Sequence, residues 1–460
     1  MENPQLNTFF ARISSGDFNC LILNLDTNGA LVAQLQADLQ NITSDNDLEE
    51  LVERQKFHKG SWTRFNILVT SFLKYCKDVN PWSLWESSDL IFTYYQDLTN
   101  CLLNDNFPAN SLVPLFQDTT EYAIVLAKRL DSKYRDLGTR QHQFLAYMSS
   151  VITKLFNSIK PRYEEPALRF QELPKKQQIL LYTANKLNNI YMHIDSPSSC
   201  ANIFKNVKPK SAIQSFSQYP IKEQIEYRYL LGRYYLLNHR VSNGFHQLNC
   251  AFSLLAVCVN KSPPNTATRR NLQRILNFLL PAAILFGKTP SWDLCRYYDP
   301  DSTNTFEQLV HAVKTGNMHS FNVWLAQHEH ALRSRKLLIL LLEKIPLLVY
   351  RNLIRRTVLT FCFPSNTNKI PYTILEEAVR ISLGSSDGFQ SIYTLIHTPE
   401  NVPNLLESLV NLGLMKANCF PISKQCVFPK SDKIDFIFPA INEKLIAFFP
   451  LNNDDTWLDD

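Results

Sequence analysis

Between Thr398 and Phe428 the sequence switches from a helical to an alternating period. Thr398-Pro399 predicts a helix start, with Thr398 as N-cap and Pro399 at the first helical position. Leu405, Leu406, Leu409, Val410 and Leu412 then place one apolar face at helical spacing, and Gly413 follows as a left-handed stop. Two short strand-like runs come next, Leu414 to Cys419 and Gln425 to Phe428, joined by the turn-prone Pro421 and Ser423. A helix feeding a two-stranded hairpin is the back half of a winged helix. Its front half is predicted from Pro371 or Tyr372, where Ile374, Leu375, Ala378, Val379 and Leu383 share a face. The loop Gly384 to Phe389 then leads to a short strand at Ile392 to Leu395, and the helix ending at Phe361 serves as the module's first helix.

The rest of the chain reads as helix. Only 11 of 460 residues are glycine, well below the usual share of roughly 7%, and both sheet-rich folds and phosphate-cradling loops consume glycine. Residues 1–60 form an acidic, partly helical segment, with nine Asp or Glu against four Lys or Arg. Leu31, Leu35 and Leu39 predict an early amphipathic helix there. A helical region follows over residues 61–174. Asn80-Pro81 is read as opening one of its helices, with Trp82 and Trp85 on a shared apolar face. The stretch 160–174 carries three prolines and several charges and reads as a linker.

A second helical series is predicted over residues 175–365. Its clearest unit runs from Ile225 to Val259. Tyr227, Leu230, Leu231, Tyr234 and Leu237 form one stripe, His239 to Asn243 the turn, and Phe245, Leu248, Phe252 and Leu255 the returning stripe. A helical hairpin of about 35 residues is the unit of tetratricopeptide-like solenoids. No clean period repeats it, so the solenoid is degenerate. Pro263-Pro264 ends the unit. Further helices are predicted at Arg269 to Leu280, Thr305 to Lys314, Met318 to Glu329, Arg333 to Glu343 and Leu347 to Phe361, the last two separated by Pro346. The fold class is thus mainly α: a degenerate helical solenoid, a winged helix over residues 366–449, and an acidic tail at 450–460 that reads as a flexible terminus.

Motifs of chemistry are missing. The sequence contains no phosphate-binding G-x-x-x-x-G-K-[ST], no G-x-G-x-x-G, no G-x-S-x-G and no H-E-x-x-H. His328 and His330 flank Glu329 but lack further ligands at helical spacing. Tyr227, Tyr229, Tyr234 and Tyr235 sit at packing rather than base-stacking positions. The ten cysteines are scattered singly, without C-x-x-C, and read as reduced core residues of an intracellular protein. No catalytic residue, cofactor or metal site is assigned. The longest uncharged apolar run, Ile275 to Gly287, contains Pro281 and falls short of the roughly 20 residues a bilayer requires, so membrane insertion is not expected.

Charge supplies the functional signal. Net charge is only +5, but residues 333–356 hold Arg333, Arg335, Lys336, Lys344, Arg351, Arg355 and Arg356 against the single acid Glu343. Lys369, Arg380, Lys416, Lys424, Lys430 and Lys433 lie beyond. One reading is a solvated helix face; the other is a phosphate track from the last solenoid helix to the wing. The helix in the recognition position, Pro399 to Leu412, carries Glu400 and Glu407 and no Lys or Arg. Helices that read a major groove present Arg, Lys, Asn or Gln, so contact through backbone phosphates, without sequence reading, is the expectation.

A helical solenoid running into a C-terminal winged helix resembles the PCI domains of the proteasome lid, the COP9 signalosome and the translation initiation scaffold. The segments FKNVKPKS (204–211), EYRYLLGRYYLLN (226–238), LLILLLEKIPLLVYRNLI (337–354) and NLGLMKANCF (411–420) resemble the branch that holds the PCI subunit of the nuclear transcription and export complex two. NPWSLWESSDLIF (80–92) and LFNSIKPR (155–162) resemble its fungal member. The resemblance implies a non-enzymatic subunit that pairs with a large PCI-type mRNA-export scaffold and with a small, acidic, disordered clamp protein. It implies a composite winged-helix surface for RNA or DNA, single or double stranded, and a place in the nucleus at the periphery of the nuclear pore. It carries over to the wing lysines Lys416 and Lys424. Charge alone adds Lys430, Lys433, Arg351, Arg355, Arg356 and Lys369 as nucleic-acid contacts, and Arg333, Arg335 and Lys336 as contacts to the acidic partner. The alternative is a purely structural PCI subunit of a signalosome-like or lid-like assembly.

Overall fold

A computed structural model of the chain describes every residue except 1–3, 41, 43, 84, 104–106, 137–140, 162–168, 214, 262–265, 385–397, 432 and 460. The described residues are mainly helical with one small sheet. They form two compact units, Met1–Glu223 with Trp457–Asp460, and Gln224–Thr456. The expected linker at 160–174 lies within the first unit, and its residues 162–168 are outside the described set.

The first unit contains α1 (Pro4–Ser14), α2 (Leu25–Leu39), α3 (Asp45–Arg54), α4 (Thr63–Asp78), α5 (Ser88–Leu102), α6 (Val113–Asp136), α7 (Gln143–Ser158), the single turn α8 (Lys175–Gln178), α9 (Leu180–His193) and α10 (Pro197–Lys210). The acidic N-terminal segment shares this core. Phe9, Leu35, Leu39 and Leu48 are fully buried, and Phe9 stacks on Phe72 with ring centres 5.6 Å apart. Its charges stay on the outer side, where Lys74 meets Asp45 at 3.2 Å and Glu49 at 3.4 Å. Buried hydroxyls find carbonyls: Tyr75 donates to Leu23 O at 2.9 Å and Tyr94 to Leu21 O at 2.7 Å. Asp131 accepts the backbone N–H groups of Phe144 and Leu145, satisfying two orphan donors at the start of α7. Trp457 packs edge-on against Phe216 at 5.1 Å, both in this unit.

One sequence expectation fails here. Asn80-Pro81 does not open a helix; Asn80 Oδ1 accepts the N–H of Trp82 at 3.0 Å, closing a turn, and α5 begins only at Ser88. An Asn side chain caps a helix or closes a local turn with the same oxygen, and here it does the second. Trp85 packs on Tyr134 at 4.6 Å, but Trp82 is 96% exposed, so the two do not share a face.

The second unit takes up the chain within α11 (Ile221–Leu237) and continues through α12 (Val241–Lys261), α13 (Thr266–Leu285), α14 (Trp292–Tyr298), α15 (Pro300–Thr315), α16 (Met318–Ser334) and α17 (Leu338–Thr357). The predicted hairpin is α11 and α12. Tyr227, Leu230, Leu231, Tyr235 and Leu236 are its buried stripe; the predicted Tyr234 and Leu237 sit one position off, at its margin. Two glycines set the approach of the helices. A Cβ at Gly232 would stand 2.6 Å from Leu248 Cγ and 3.2 Å from its backbone nitrogen, and one at Gly244 would stand 2.7 Å from Leu236 Cδ2.

The predicted stops at two prolines also fail. Pro281 lies inside α13, and Pro346 lies inside α17, which is one helix rather than two. Proline inside a helix costs about 3 kcal/mol. Both prolines are buried among apolar neighbours on either side, so tertiary burial of the flanking turns outweighs that cost. Pro263 and Pro264 lie outside the described residues.

After α17 a single π-type turn, Val358–Cys362, leads to β1 (Lys369–Pro371) and α18 (Tyr372–Leu383). A 3-10 turn at Pro399–Asn401 opens α19 (Val402–Asn411), followed by β2 (Asn418–Phe420), β3 (Gln425–Val427), α20 (Ile434–Ile437) and α21 (Ile441–Phe448). The sheet order is β1-β3-β2, antiparallel throughout, with Lys369 opposite Val427, and Val427 opposite Asn418. Gly413 ends α19 with φ +64°, as its position predicts. The described third strand precedes α18; the predicted strand at Ile392 to Leu395 lies outside the described residues.

The described residues of the acidic tail are engaged in structure rather than forming a flexible terminus. Residues Asn453–Leu458 form a 3-10 helix, Asn452 donates to the Tyr235 hydroxyl at 2.9 Å, and that hydroxyl donates to Asp455.

Gly232→Ala is expected to destabilise the second unit by about 1–2 kcal/mol, overpacking against backbone exceeding the helix-propensity gain. Gly29→Ala in α2, where the nearest atom to an added Cβ is Leu25 Cβ at 3.9 Å, is expected to stabilise by about 0.5–1 kcal/mol. Urea unfolding of the full-length variants reads both signs.

Candidate nucleic-acid and partner interface

The three strands of the wing alternate cleanly. Ile370 and Cys426 point to the core, with Cys419 half-buried beside them, while Lys369 and Phe420 face solvent. The Tyr372 N–H donates to Lys424 O at 2.8 Å, and the Phe428 N–H to Asn368 O at 2.8 Å, so β3 is tied at both ends to the β1 segment. Lys424 sits in the left-handed region, φ +46°, at the hairpin turn, and is exposed.

Lys416 opens the segment leading into β2. Its N–H donates to Ile437 O at 2.8 Å, and its ammonium lies 3.7 Å above the centre of the Phe436 ring. Lys430 and Lys433 are exposed on the chain leaving β3, and Lys369 is exposed at the same end of the sheet through its pairing with Val427. The fold therefore gathers Lys369, Lys416, Lys430 and Lys433 around one end of the wing and carries Lys424 at the other. Exposed apolar side chains are interleaved with them: Phe420, Phe436 and Ile422, the last fully exposed at 101%. Sequence reasoning missed these three. The signal for Phe420 was its phase, one position out of step with the core-facing Cys419.

The arginines of α17 divide into different roles. Arg351 was expected to grip phosphate, but it is only 7% exposed. Its Nε donates to Leu414 O at 3.2 Å, and its Nη2 donates to Phe438 O at 3.1 Å and Pro439 O at 2.8 Å. Burial first, and Arg355 beside it, draw its guanidinium down to about 10, still charged at neutral pH. A buried guanidinium committed to three carbonyls has no face left for a ligand. Arg356 is exposed, and its Nη1 donates to Thr315 O at 2.9 Å, one of the carbonyls ending α15. Arg355 meets Asp435 at 3.3 Å in an exposed pair of little energetic weight.

Arg333, Arg335 and Lys336 stand at the opposite end of α17. Arg333 pairs with Glu329 at 2.6 Å on its own helix, and Arg335 is lowered by burial, with Asp299 opposing the shift. Twenty residues of helix separate this group from Arg355 and Arg356 by about 30 Å. Between them lie Lys344, 3.7 Å from Glu343, and the buried Arg351. The basic run is thus two separate groups and not one continuous track. The Glu329 carboxylate beside His328 and His330 is engaged by Arg333.

No family model matches the chain. It is 44% identical over 458 residues to "Nuclear mRNA export protein THP1" of Saccharomyces cerevisiae, spanning 98% of this chain and 99% of that protein. It is 30% identical over 188 residues, 41% of this chain and 44% of the other, to "PCI domain-containing protein 2 homolog" of Drosophila melanogaster. It is 26% identical over 202 residues, 44% of each, to "Protein CSN12 homolog" of Schizosaccharomyces pombe. The fold and these similarities define a PCI-domain protein, with a helical solenoid ending in a winged helix. Within that class the chain belongs to the family of the yeast nuclear mRNA export protein THP1. Among the described residues no helix is long and apolar enough to cross a membrane.

Arg351→Met is expected to lower the stability of the second unit by about 3–5 kcal/mol, since three carbonyls lose a charged donor at once. Arg351→Lys should recover little, because an ammonium cannot reproduce the fork. Arg356→Met should cost far less. Urea denaturation of the three variants checks the order.

Proposed function

We propose that this chain is a non-enzymatic scaffold subunit of a nuclear mRNA-export complex. The observation that carries the reading is the near full-length similarity to a nuclear mRNA export protein, from the acidic N-terminal helices to the tail. In this reading the chain pairs with a larger PCI-type scaffold subunit and with a small acidic disordered protein. The wing, together with its partner's, forms a sequence-independent surface for RNA or DNA backbone, and the complex works in the nucleus at the periphery of the nuclear pore. Exposed Lys369, Lys416, Lys424, Lys430 and Lys433 support the nucleic-acid role, and the absence of basic residues from α19 supports its indifference to sequence. Arg333, Arg335 and Lys336, a separate basic group, suit the acidic partner.

A second reading rests on the similarity to "Protein CSN12 homolog" of Schizosaccharomyces pombe and of Neurospora crassa. In that case the chain is a structural subunit of a signalosome-like or lid-like assembly and binds no nucleic acid. A tagged pull-down separates the two. Recovery of a large PCI-type export scaffold with a small acidic protein supports the first reading; recovery of signalosome or lid subunits in their place overturns it.

Changing Lys416, Lys424, Lys430 and Lys433 together to Glu is expected to weaken binding of the assembled complex to single strands and duplexes alike. The slope of log affinity against log salt should fall by roughly 0.7–0.9 for each phosphate that the wing no longer neutralises. Unchanged affinity and slope in a filter-binding titration would remove the wing from the nucleic-acid surface.

A further inference from the structure

The wing hairpin sets two cysteines directly opposite one another. The register pairs Cys419 of β2 with Cys426 of β3, flanked by Asn418 with Val427 and Phe420 with Gln425. Directly opposed residues of an antiparallel ladder project to the same face, with Cα atoms about 4.5–5.5 Å apart. That separation falls inside the roughly 4.4–6.8 Å window that a disulfide spans without moving backbone. Cys419 is half-exposed, whereas Cys426 is buried. One sulfur can therefore meet a small oxidant from solvent while the other waits behind it.

We propose that Cys419 and Cys426 are an oxidisable thiol pair that closes into a disulfide across the wing hairpin when the protein meets a peroxide. Cys419 is the attacking sulfur and Cys426 the resolving one. The Cys419 thiolate attacks a peroxide oxygen; the O–O bond breaks, hydroxide leaves and takes up a proton as water, and Cys419 becomes a sulfenic acid. Cys426 then gives up its proton as its sulfur displaces the hydroxide, which leaves as a second water. Two thiols and one hydrogen peroxide become one disulfide and two waters, and the two electrons pass from sulfur to peroxide. Exchange with glutathione restores the thiols.

The chemistry of the two thiols agrees with these roles. A hydrogen bond from Cys426 stabilises the Cys419 thiolate and draws that thiol below its ordinary value, against the opposing effect of burial. The same hydrogen bond and burial push Cys426 upward. Other cysteines stand apart from this pattern: burial pushes Cys20 up to about 12 and raises Cys76, Cys101, Cys295 and Cys362. Closure would tie β2 to β3 through side chains as well as backbone and hold the turn that carries Ile422 and Lys424. This inference is independent of the export reading, because it concerns the hairpin alone.

The test uses the reduced full-length chain, titrated with hydrogen peroxide, blocked with N-ethylmaleimide and digested with trypsin. Lys424 lies between the two cysteines, so cleavage after Lys416, Lys424 and Lys430 releases residues 417–424 and 425–430 as separate peptides. The expected result is that these two appear joined, before any other cysteine peptide is oxidised, and separate again with glutathione. In Cys419→Ser the thiol of Cys426 should stay alkylatable at the same peroxide dose. In Cys426→Ala, Cys419 should accumulate as a sulfenic acid that dimedone traps. Should that variant fail to fold, the wild-type peptide map decides alone. Peptides 417–424 and 425–430 remaining unjoined while other cysteines oxidise would overturn the proposal, as would Cys419 joined to a different cysteine.

Discussion

A guanidinium that stays charged at neutral pH lies inside the second unit, and the placement of the wing follows from how it is satisfied. Arg351 projects from α17 and donates to carbonyls of Leu414, Phe438 and Pro439. The first belongs to the turn after α19 and the other two to the turn before α21, so one side chain fixes two segments 63 to 88 residues further along the chain. Each would otherwise be a buried acceptor without a donor, at a cost of about 1–3 kcal/mol. The planar fork is what lets a single residue reach all three. On the same helix, the adjacent Asn352 donates to Val313 O at 2.9 Å, and Arg356 donates to Thr315 O. Ser382 of α18 donates to Gly316 O at 2.6 Å and accepts the N–H of Met318 at 2.9 Å. The last carbonyls of α15 are thus satisfied by the first two helices of the winged helix. α17 is at once the last helix of the solenoid and the first of the wing module, and its polar face seals both.

That arrangement decides what the basic run can do. A count of positive charge treats all seven side chains between 333 and 356 alike, but burial does not. Arg351 is committed to structure, Arg356 closes a helix end, and Arg333 pairs within its own helix. The positive charge left around the sheet sits on lysines whose backbones are fixed by the wing: Lys416 through Ile437, Lys424 through Tyr372, and Lys369 through its strand. Lysine is a compact, mobile point charge and suits a phosphate backbone approached from many directions. The acidic helix α19 carries no cation that could read a base edge.

The sequence was most readable where one local rule had no competitor. Gly413 as a left-handed stop, the hairpin around Pro421 and Ser423, and the α11–α12 pair all follow from spacing and turn chemistry. It was least readable where tertiary packing overrode a local preference. Pro281 and Pro346 should end helices, yet each sits in a segment buried on several sides. Asn80 carries an oxygen that serves a cap or a turn equally well, and only the surrounding fold chooses. The β1 strand is three residues long with a proline at its end, too short to show a period. At the candidate site, charge picked out exposed lysines and the buried Arg351 alike, because composition cannot reveal which carbonyls will be left buried and in need of a donor. The tail misled for the same reason. Four aspartates read as a solvated terminus, but Asp455 has a hydroxyl donor in Tyr235, 220 positions earlier in the chain.

The two edges of the wing sheet differ in what they offer a further strand. With order β1-β3-β2, the outer strands are β1 and β2. The β1 edge is blunted by Pro371, which has no N–H to offer a further strand. No proline interrupts β2, whose last residue Phe420 is half-exposed, and Ile422 just beyond it is fully exposed. Apolar side chains left in water forgo about 25 cal/mol for every Å² that burial would recover. At the tip of the hairpin, beside Lys424, they leave an apolar patch in water. Ile446 and Phe448 of α21, Phe449 just after it and Leu412 after α19 are also exposed, and α21 has no buried residue of its own. A helix that short does not persist in water by propensity alone. Its place here rests on partial packing against the core by Ile441 and Leu445.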